Sequence, residues 1–437
     1  MRVHLVAPSR EEPFGARPGV FLAPPLALAA LASVTPPEME VTLSDENLGP
    51  IDFDQPADLV GITSTTQTAN HAYRAADTFR ARGLPVVLGG IHPSALPEEA
   101  VQHADAVVVG EGEDIWPQVL ADSQEGKLKP LYRAETRPDL ARLPAPRRDI
   151  FQRRHYLCPD TVYTARGCPY GCSFCSVTSF FGGTYRWRPV EEVAKEIQGL
   201  QGRRMFLLVD DNVIGHPGHS RDLFRVLAAC KVPWIGQASL TIARDESLLA
   251  MAFEAGCRAL FLGIESISPE SLRSVHKRHN AVEEYEQAIR RIQSHGISIY
   301  GAFIFGLDHD TEDTFVETVR FARRTRLEVA QFSILTPYPG TVAMATMERD
   351  GRLLTKNWDD YREDRVVFQP KLVSPQRLQE GHDWAWREFY SLGSIFQRVG
   401  PFHTYSPLLW AVNFMYRSDP VSKAFFNRMS SWASSFL

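Results

Sequence analysis

Short apolar runs rich in β-branched residues alternate with amphipathic stretches along the first third of the chain. The apolar runs predict strands at residues 3–7, 40–43, 58–62, 85–88 and 106–109. The amphipathic stretches between them predict helices at residues 24–32, 69–82, 98–103 and 113–121. Strands that alternate with helices form parallel sheets with helices on their faces. The pattern therefore predicts an α/β fold that begins with a doubly wound, Rossmann-like domain over residues 1–125.

The same alternation resumes after a polar, proline-containing stretch at residues 126–160, which we interpret as a linker. Six apolar runs then predict strands at residues 161–166, 205–209, 234–240, 259–264, 297–305 and 329–335. Helical patterns between them include residues 189–200, 246–254, 282–293 and 311–326. Six such units predict a partial (β/α)6 barrel over residues 161–345. The strand pattern then stops, and residues 346–437 are expected to form an aromatic-rich helical C-terminal region.

Composition narrows the class of protein. Of the 437 residues, 44% are hydrophobic and 23% are charged, which is typical of a packed globular chain. The net charge of −5 gives no cationic field that would collect nucleic acid, so no nucleic-acid partner is expected. No segment reaches the roughly 18 apolar residues that cross a bilayer, and no signal-peptide profile opens the chain. A cytoplasmic location is therefore expected, with cysteines that do not form a disulfide framework.

The six cysteines carry the chemical information, because three of them lie within eight residues. Cys168, Cys172 and Cys175 have the spacing C-x3-C-x2-C. Three thiolates on one loop can face a single centre, and thiolates suit zinc or an iron–sulfur cluster. A cubane held by three cysteines leaves one iron open to a small molecule. Two other interpretations stay open: a zinc site, and a closed electron-transfer cluster with Cys158 as its fourth ligand.

This motif, with the aromatic Phe174 just before its last cysteine, resembles that of the radical S-adenosylmethionine (SAM) superfamily. The resemblance implies a [4Fe-4S] cluster held by Cys168, Cys172 and Cys175, with SAM chelated at the open iron. It also implies reductive cleavage of SAM to a 5′-deoxyadenosyl radical, fed by a flavodoxin- or ferredoxin-like electron donor. Phe174 is then expected to contact SAM.

Polar residues follow the predicted barrel strands at the end where such folds place their chemistry. Asp210, Asp211 and Asn212 occupy the position of the Gly-Gly-Glu-like stretch that holds the SAM ammonium in the family. A helix cap is the alternative for Asn212. Further candidates for contacts with SAM are Gln237 and Ser239, Glu265 in a GIES segment, Phe305 beside the adenine, and Lys277 and Arg278 near the carboxylate. Tyr338, in the turn at residues 336–341, is the one candidate for a catalytic residue, and a purely structural role in that turn is the alternative.

The first domain lacks the G-x-G-x-x-G pattern of dinucleotide sites, and its last loop carries two acids. Its patterns GGIHPSALPEE and VVVGEGE, placed before such a barrel, resemble the cobalamin-binding domain of B12-dependent radical SAM enzymes. The resemblance implies cobalamin contacts from Ser64, Thr65, Thr66, Gly89, Gly90, His92, Gly110, Glu111 and Gly112. No Asp-x-His-x-x-Gly occurs, in agreement with that family. A domain without a cofactor, which only docks substrate, is the alternative.

Together these resemblances imply a cobalamin-dependent radical SAM methyltransferase that moves a methyl group from methylcobalamin to an unactivated carbon. The alternatives are a B12-dependent cyclase, oxidase or rearrangement enzyme, and a non-catalytic iron–sulfur sensor or electron carrier. The substrate is expected to be a small molecule, tilted toward an apolar one by the aromatic C-terminal region. That region is expected to pack against the barrel, with an apolar substrate pocket or peripheral membrane contact as alternatives.

Overall fold

The computed structural model describes residues 1–9, 23–200, 205–400 and 406–417. The first sheet contains the strands β1 (Arg2–Ala7), β2 (Glu40–Asp45), β3 (Leu59–Thr63), β4 (Val86–Gly89), β5 (Ala106–Val109) and β6 (Leu131–Arg133). They lie in the order β2-β1-β3-β4-β5-β6, and every pair is parallel. Strand β6 lies in the stretch interpreted as a linker, and it completes the edge of this sheet.

Helices cover both faces of the first sheet, which explains why its central strands are apolar at nearly every position. The helices are α1 (Leu26–Ser33), α2 (Ala69–Ala81), α3 (Ile91–Ala95), α4 (Pro97–Ala100) and α5 (Trp116–Gln124). Phe79 of α2 packs with Val6 and Ile62 on one face, whereas Trp116 of α5 packs with Leu5 on the other. The doubly wound arrangement expected for this half of the chain is therefore present.

The second sheet is an open barrel of parallel strands. The strands of this half are β7 (Thr161–Val162), β8 (Ala165–Gly167), β9 (Tyr185–Trp187), β10 (Phe206–Leu208), β11 (Trp234–Ala238), β12 (Cys257–Glu265), β13 (Ser298–Phe305) and β14 (Val329–Ile334). The barrel order is β14-β13-β12-β11-β10-β7, while β8 and β9 form a separate antiparallel ribbon. The predicted strand at residues 161–166 is therefore two strands, of which the second leads into the cysteine loop.

Helices pack on the outside of the barrel and leave its inner face partly accessible. They are α6 (Ser176–Phe181), α7 (Val190–Gly199), α8 (Pro217–Cys230), α9 (Glu246–Glu254), α10 (Pro269–Ser274), α11 (Tyr285–Ser294), α12 (Asp313–Arg324) and α13 (Val342–Arg349). On β11, the helix-facing Trp234 and Ala238 are buried, whereas the alternating Ile235 and Gln237 are partly exposed. The lumen of the barrel is therefore open enough to admit a ligand.

The C-terminal region closes the open edge of the barrel. Its helices are α14 (Pro375–Phe389), α15 (Leu392–Arg398) and α16 (Ser406–Arg417). An edge strand presents unpaired backbone groups, and the Tyr390 hydroxyl bonds both the N–H and, at 2.7 Å, the carbonyl of Ala330 on β14. Trp386 Nε1 donates to the Phe332 carbonyl at 2.9 Å. The helical expectation for residues 418–437 lies outside the described residues. No helix within the described ranges has the length and apolarity that a membrane crossing requires.

Candidate active site

The cysteine loop runs from the end of β8 to the start of α6. Gly167 adopts φ +87°, and a Cβ there would lie 2.1 Å from the Thr184 carbonyl oxygen, so only glycine fits. Cys175 N–H donates to the Cys172 carbonyl at 3.2 Å, which folds the loop back on itself. Gly171 is exposed, so the loop reaches the protein surface. A tight backbone turn thus brings the three cysteines to one side of the barrel mouth.

The three thiols of this loop are shielded from water and lie close enough to influence one another. Burial raises the pKa of Cys168, Cys172 and Cys175 to about 11 in each case, and the pKa of each thiol is also raised by another of the three. The Lys277 ammonium opposes this rise at Cys172. Among the described residues, no three His, Cys, Asp or Glu side chains converge on a point that one metal ion could occupy. In a cubane, each cysteine binds a different iron, so the sulfur atoms do not need to converge on one point. The loop is therefore compatible with such a cluster.

Cys158, the alternative fourth ligand, lies away from this loop. Its thiol approaches the carbonyl oxygens of Asp160 at 3.6 Å and Met205 at 3.9 Å. Both carbonyls precede the strands β7 and β10, whereas the cysteine loop lies beyond the other end of those strands. Burial raises the pKa of Cys158 to about 12. Cys158 is therefore a buried core thiol, and the closed four-cysteine cluster does not match this structure.

The acidic stretch after β10 holds the cysteine loop in place. Asp210 accepts hydrogen bonds from the backbone N–H groups of Thr164, at 2.5 Å, and Ala165, at 3.1 Å. Asp211 accepts one from Gly167 N–H at 2.8 Å. Burial raises the pKa of Asp210 to about 6 and of Asp211 to about 7, while these bonds lower both. The carboxylates expected to meet the SAM ammonium thus already bind the backbone just before the cysteines.

Asn212 links this stretch to the cluster ligands and to the next strand. Its side-chain amide lies 3.8 Å from the Cys168 sulfur as a donor, and its Oδ1 accepts from Ser239 N–H at 3.1 Å. The Ser239 hydroxyl in turn pairs with Thr241 at 2.6 Å. Gln237 lies on the inner face of β11, two residues before Ser239. Asn212 therefore donates a hydrogen bond to the Cys168 sulfur and accepts one from the residue that follows β11, and it does not cap a helix.

The end of β12 carries a buried ion pair beside the cysteine loop. Glu265 adopts φ +64°, a left-handed conformation that costs an L-residue about 1–3 kcal/mol. Its carboxylate lies 2.5 Å from the Lys277 ammonium. A Cβ on Gly263 would lie 2.6 Å from that ammonium, so glycine makes room for the pair. Glu265 and charge on Cys172 raise the pKa of Lys277 against the opposing effect of burial. The barrel mouth thus holds a fixed carboxylate and a fixed ammonium.

The two aromatic candidates differ in their placement. Phe174 is partly buried and packs against the barrel core from the cysteine loop. Phe305 is fully buried and lies 5.0 Å from Phe315 and 5.8 Å from Phe332, measured between ring centroids. Phe315 belongs to α12, so Phe305 points toward the outer helices. Strand alternation turns the Phe305 side chain away from the lumen, so a contact of this ring with adenine stays a prediction without support from its placement.

A cavity lies between the two sheets where their carboxyl-terminal strand ends face each other. From the first sheet it is lined by Gly89, Gly90, Gly110, Glu111 and Gly112, all predicted cobalamin contacts. From the barrel half it is lined by residues including Tyr163, Arg166, Phe181 and Asp211. The glycines leave the backbone bare at this surface, which suits a large ligand approached by main-chain groups.

The remaining predicted cobalamin contacts do not line this cavity. Ser64, Thr65 and Thr66 form a capped turn, in which Thr65 N–H donates to the Thr68 hydroxyl at 3.2 Å. His92 is fully buried, shares a 3.2 Å hydrogen bond with Thr66, and has its ring centroid 5.1 Å from that of Trp358. His92 thus contacts the C-terminal region and is not part of the cavity lining.

Tyr338 joins three parts of the chain at the barrel mouth. Its hydroxyl accepts from Gln67 Nε2 at 2.7 Å and donates to Glu363 Oε1 at 3.3 Å. Glu363 Oε2 also accepts from Gln331 Nε2 at 3.4 Å, on the last barrel strand. Sequence reasoning missed Gln67 and Glu363, which lie in segments that carry no recognisable motif. Tyr338 is thus placed by contacts with both the first domain and the C-terminal region.

Comparison with known proteins agrees with this two-sheet geometry. The radical SAM superfamily model matches residues 162–322, and the B12 binding domain model matches residues 21–120. Bacteriochlorophyllide d C-12(1)-methyltransferase of Chlorobaculum tepidum is 32% identical over 405 residues, which are 90% of this chain and 87% of that protein. The chain belongs to the cobalamin-dependent radical SAM methyltransferases.

Other relatives of this methyltransferase cover most of its length. The hopanoid C-2 methylase of Rhodopseudomonas palustris is 31% identical over 79% of the chain and 67% of that protein. The solved structure of TsrM from Kitasatospora setae, a radical SAM methyltransferase with cobalamin and a [4Fe-4S] cluster bound, superposes with a TM-score of 0.68. It covers 98% of both chains at 18% identity, so it bears on the fold alone.

The methyltransferase uses a [4Fe-4S] cluster, SAM and cobalamin. The cluster and SAM supply radical chemistry when bound, and cobalamin carries the methyl group. Within the chain, the three thiols and the Asn212 donor fit the cluster, and the cavity between the sheets fits a large cofactor bound by backbone. The Glu265 and Lys277 pair offers opposite charges to the polar groups of SAM.

Proposed function

We propose that this methyltransferase methylates an unactivated carbon of a large, mostly apolar ring compound of the chlorin type. The observation that carries the proposal is its similarity to two proteins named for bacteriochlorophyllide d, each 32% identical and matched over 87% of its length. The inner face of the barrel supports it, because Ile235, Phe261 and Ile304 are partly exposed there. Such apolar positions provide a surface on which a flat ring can lie.

In this proposal, each group of residues has a separate task. Cys168, Cys172 and Cys175 hold the cluster, while Glu265 and Lys277 orient the ribose and the carboxylate of SAM. Gln237, Ser239 and Phe174 complete that side, and the glycine loops of the first sheet hold cobalamin. The units are residues 1–125 for cobalamin, 161–345 for radical chemistry, and 346–437 for closure of the barrel, with residues 126–160 between the first two.

The substrate then occupies the lumen between the two cofactors. Tyr338, Gln67 and Glu363 form a polar end to that space, and their hydrogen bonds fix the hydroxyl of Tyr338. Tyr338 is proposed to orient a polar group of the substrate, so that the carbon to be methylated lies toward the cofactors. Positioning of this kind contributes strongly to rate, since small displacements of reacting atoms are costly.

The test is turnover by the reconstituted holoenzyme. Anaerobic protein loaded with cluster and cobalamin is incubated with SAM, a low-potential reductant and bacteriochlorophyllide d, and the products are analysed by mass spectrometry. A product heavier by one methylene unit, formed with 5′-deoxyadenosine, supports the proposal. A product of unchanged or oxidised mass favours a cyclase or an oxidase. Absence of both 5′-deoxyadenosine and product favours a non-catalytic sensor.

A reducing partner and a cytoplasmic location belong to the same proposal. The exposed Pro169 and Gly171 place the cysteine loop at the protein surface, where a flavodoxin- or ferredoxin-like donor can approach the cluster. Reduction of the holoenzyme by a purified flavodoxin, followed by absorbance at the cluster band, tests this contact. A donor that reduces free methyl viologen but not the holoenzyme contradicts it.

Peripheral membrane contact is proposed for the C-terminal helices, because they present an apolar cluster. Phe396 is 64% exposed and its ring centroid lies 4.9 Å from that of Trp410. Leu408 and Phe414, 54% and 42% exposed, extend the surface. Exposed aromatic and leucine side chains bind at the lipid interface. Flotation with anionic liposomes tests this, and Phe396→Ser is expected to weaken it while turnover persists. Equal flotation of both proteins contradicts the proposal.

A further inference from the structure

Two acidic side chains follow β5 in the loop that lines the cavity between the sheets. Glu111 Oε1 accepts from Arg166 Nη1 at 2.8 Å, and Glu111 Oε2 accepts from Arg186 Nη2 at 2.6 Å. Glu113 Oε1 accepts from Arg166 Nη2 at 2.6 Å. We call these four residues the Glu111 network. Its carboxylates belong to the first sheet and its guanidinium groups to the ribbon of β8 and β9, so it joins the two halves of the enzyme.

The Glu111 network is buried and balanced in charge. The side chains of Glu111 and Glu113 are 5% and 9% exposed, and that of Arg166 is 12% exposed. Burial alone would raise the pKa of Glu113, but the Arg166 guanidinium outweighs it and holds that pKa below its usual value. Two carboxylates and two guanidinium groups compensate one another, which is the condition under which buried charges are tolerated.

The location of the network gives it a role beyond holding two surfaces together. Glu111 lies between Gly110 and Gly112, whose backbone faces the cobalamin cavity. Arg166 lies two residues before Cys168, the first cluster ligand. Charge-assisted bonds between a guanidinium fork and a carboxylate are short and directional. The network therefore fixes the cobalamin loop against the strand that leads into the cluster loop.

We propose that the Glu111 network is a positioning device that sets the distance between cobalamin and the SAM site. The proposal uses the cofactors of the family and does not depend on the identity of the substrate. Arg186 is its most informative member, because it holds Glu111 from β9 without lining the cavity itself. Loss of Arg186 changes the position of the Glu111 loop and leaves the cofactor contacts chemically intact.

The test compares Arg186→Gln with wild type in the holoenzyme. The first readout is the magnetic interaction between cob(II)alamin and the reduced cluster, measured by electron paramagnetic resonance, because this interaction falls steeply with distance. The second readout is methylation of reduced cobalamin by SAM without substrate. We expect a weaker magnetic interaction and methylation slowed by about 100-fold, as for a displacement of about 1 Å. Formation of 5′-deoxyadenosine, which needs only the cluster and SAM, is expected to stay within about twofold.

Glu196→Gln is the matched control. Glu196 bridges Arg148 at 2.5 Å and Arg188 at 2.6 Å, and its side chain is 3% exposed. This substitution breaks a comparable buried bridge whose three members neither line the cavity nor touch the Glu111 loop. Arg186→Lys keeps the charge but loses the fork, so it is expected to give an intermediate magnetic interaction, and it serves as the test variant if Arg186→Gln does not fold. An unchanged interaction in the Arg186 variants, or an equal change in Glu196→Gln, overturns the proposal.

Discussion

The cysteine loop of the barrel and the glycine loops of the first sheet are built for their ligands in opposite ways. The cysteine loop presents three thiols and supports them with side chains, such as the Asn212 amide. The glycine loops present backbone, and Gly90 and Gly110 adopt left-handed φ values of +99° and +86°. The cysteine loop is suited to bind its ligand through side-chain groups. The glycine loops are suited to bind theirs through backbone groups that no Cβ atom covers.

Removal of one cysteine thiol is expected to have the largest effect, because it abolishes iron binding and turnover. Cys172→Ala takes away one of the three proposed cluster ligands, so we expect loss of the cluster and of all turnover, measured by iron content and 5′-deoxyadenosine. Cobalamin binding by the glycine loops is expected to persist. Cys230→Ala replaces the last residue of α8 and is the control, which should retain iron. Turnover by Cys172→Ala would mean that the cluster is not held by this loop.

The contrast also explains how much the sequence alone could predict. Cys168, Cys172 and Cys175 lie within eight residues, so their spacing already contains the geometry of the loop. The parallel sheets were likewise predictable, since each strand and helix has its own local pattern. The edge strand β6 and the break between β7 and β8 were not, because strands of two or three residues give too short a pattern.

Side-chain direction at strand ends depends on contacts that are distant in sequence. His92 faces Trp358 of the C-terminal region, and nothing near position 92 indicates that partner. The pairing of Glu111 with Arg166 spans 55 positions and is equally hidden, although the two acids of that loop are visibly unfavourable for a phosphate. Phe305 shows the same limit, because its burial against Phe332 follows from the register of β13 and β14. Sequence patterns locate the loops, and tertiary packing selects which residues face the cavity.

Replacement of a cavity glycine is expected to have the next largest effect. Gly90→Ala places a Cβ 2.7 Å from the Ser64 carbonyl oxygen at a left-handed φ. The conformation alone costs about 1–3 kcal/mol of unfolding free energy, and the backbone contact adds to that cost. Gly110→Ala is the matched control, since its φ is also left-handed but no atom lies within 4 Å of the added Cβ. If urea unfolding shows that both variants lose the same free energy of unfolding, the contact with Ser64 does not contribute.

Acid pH is expected to have a smaller effect on the free energy of unfolding, through the Glu113–Arg166 ion pair between the two domains. The pKa of Glu113 is lower in the folded protein than its ordinary 4.5, because Arg166 outweighs the effect of burial. A lowered folded pKa gives stability that is present above the unfolded pKa and lost as pH falls through the folded value. Urea unfolding of wild type should therefore show weakening below about pH 4.5, and Glu113→Gln should show a shallower dependence. Identical slopes would argue against the ion pair.

The smallest effect is expected from Gly112→Ala, which should change the affinity for cobalamin while leaving the free energy of unfolding almost unchanged. Gly112 does not need a left-handed φ, and a Cβ there would meet Leu31 Cδ1 at 3.4 Å and Val108 Cγ1 at 3.8 Å, which are ordinary contacts. Gly112→Ala should therefore change the free energy of unfolding by less than about 0.5 kcal/mol. Its methyl group enters the wall of the cavity, so the Kd for cobalamin should rise several-fold, as measured by equilibrium dialysis. Gly49→Ala, in open space away from the cavity, is the control. If the Gly112 variant binds cobalamin as tightly as wild type, bare backbone is not what this loop offers the cofactor.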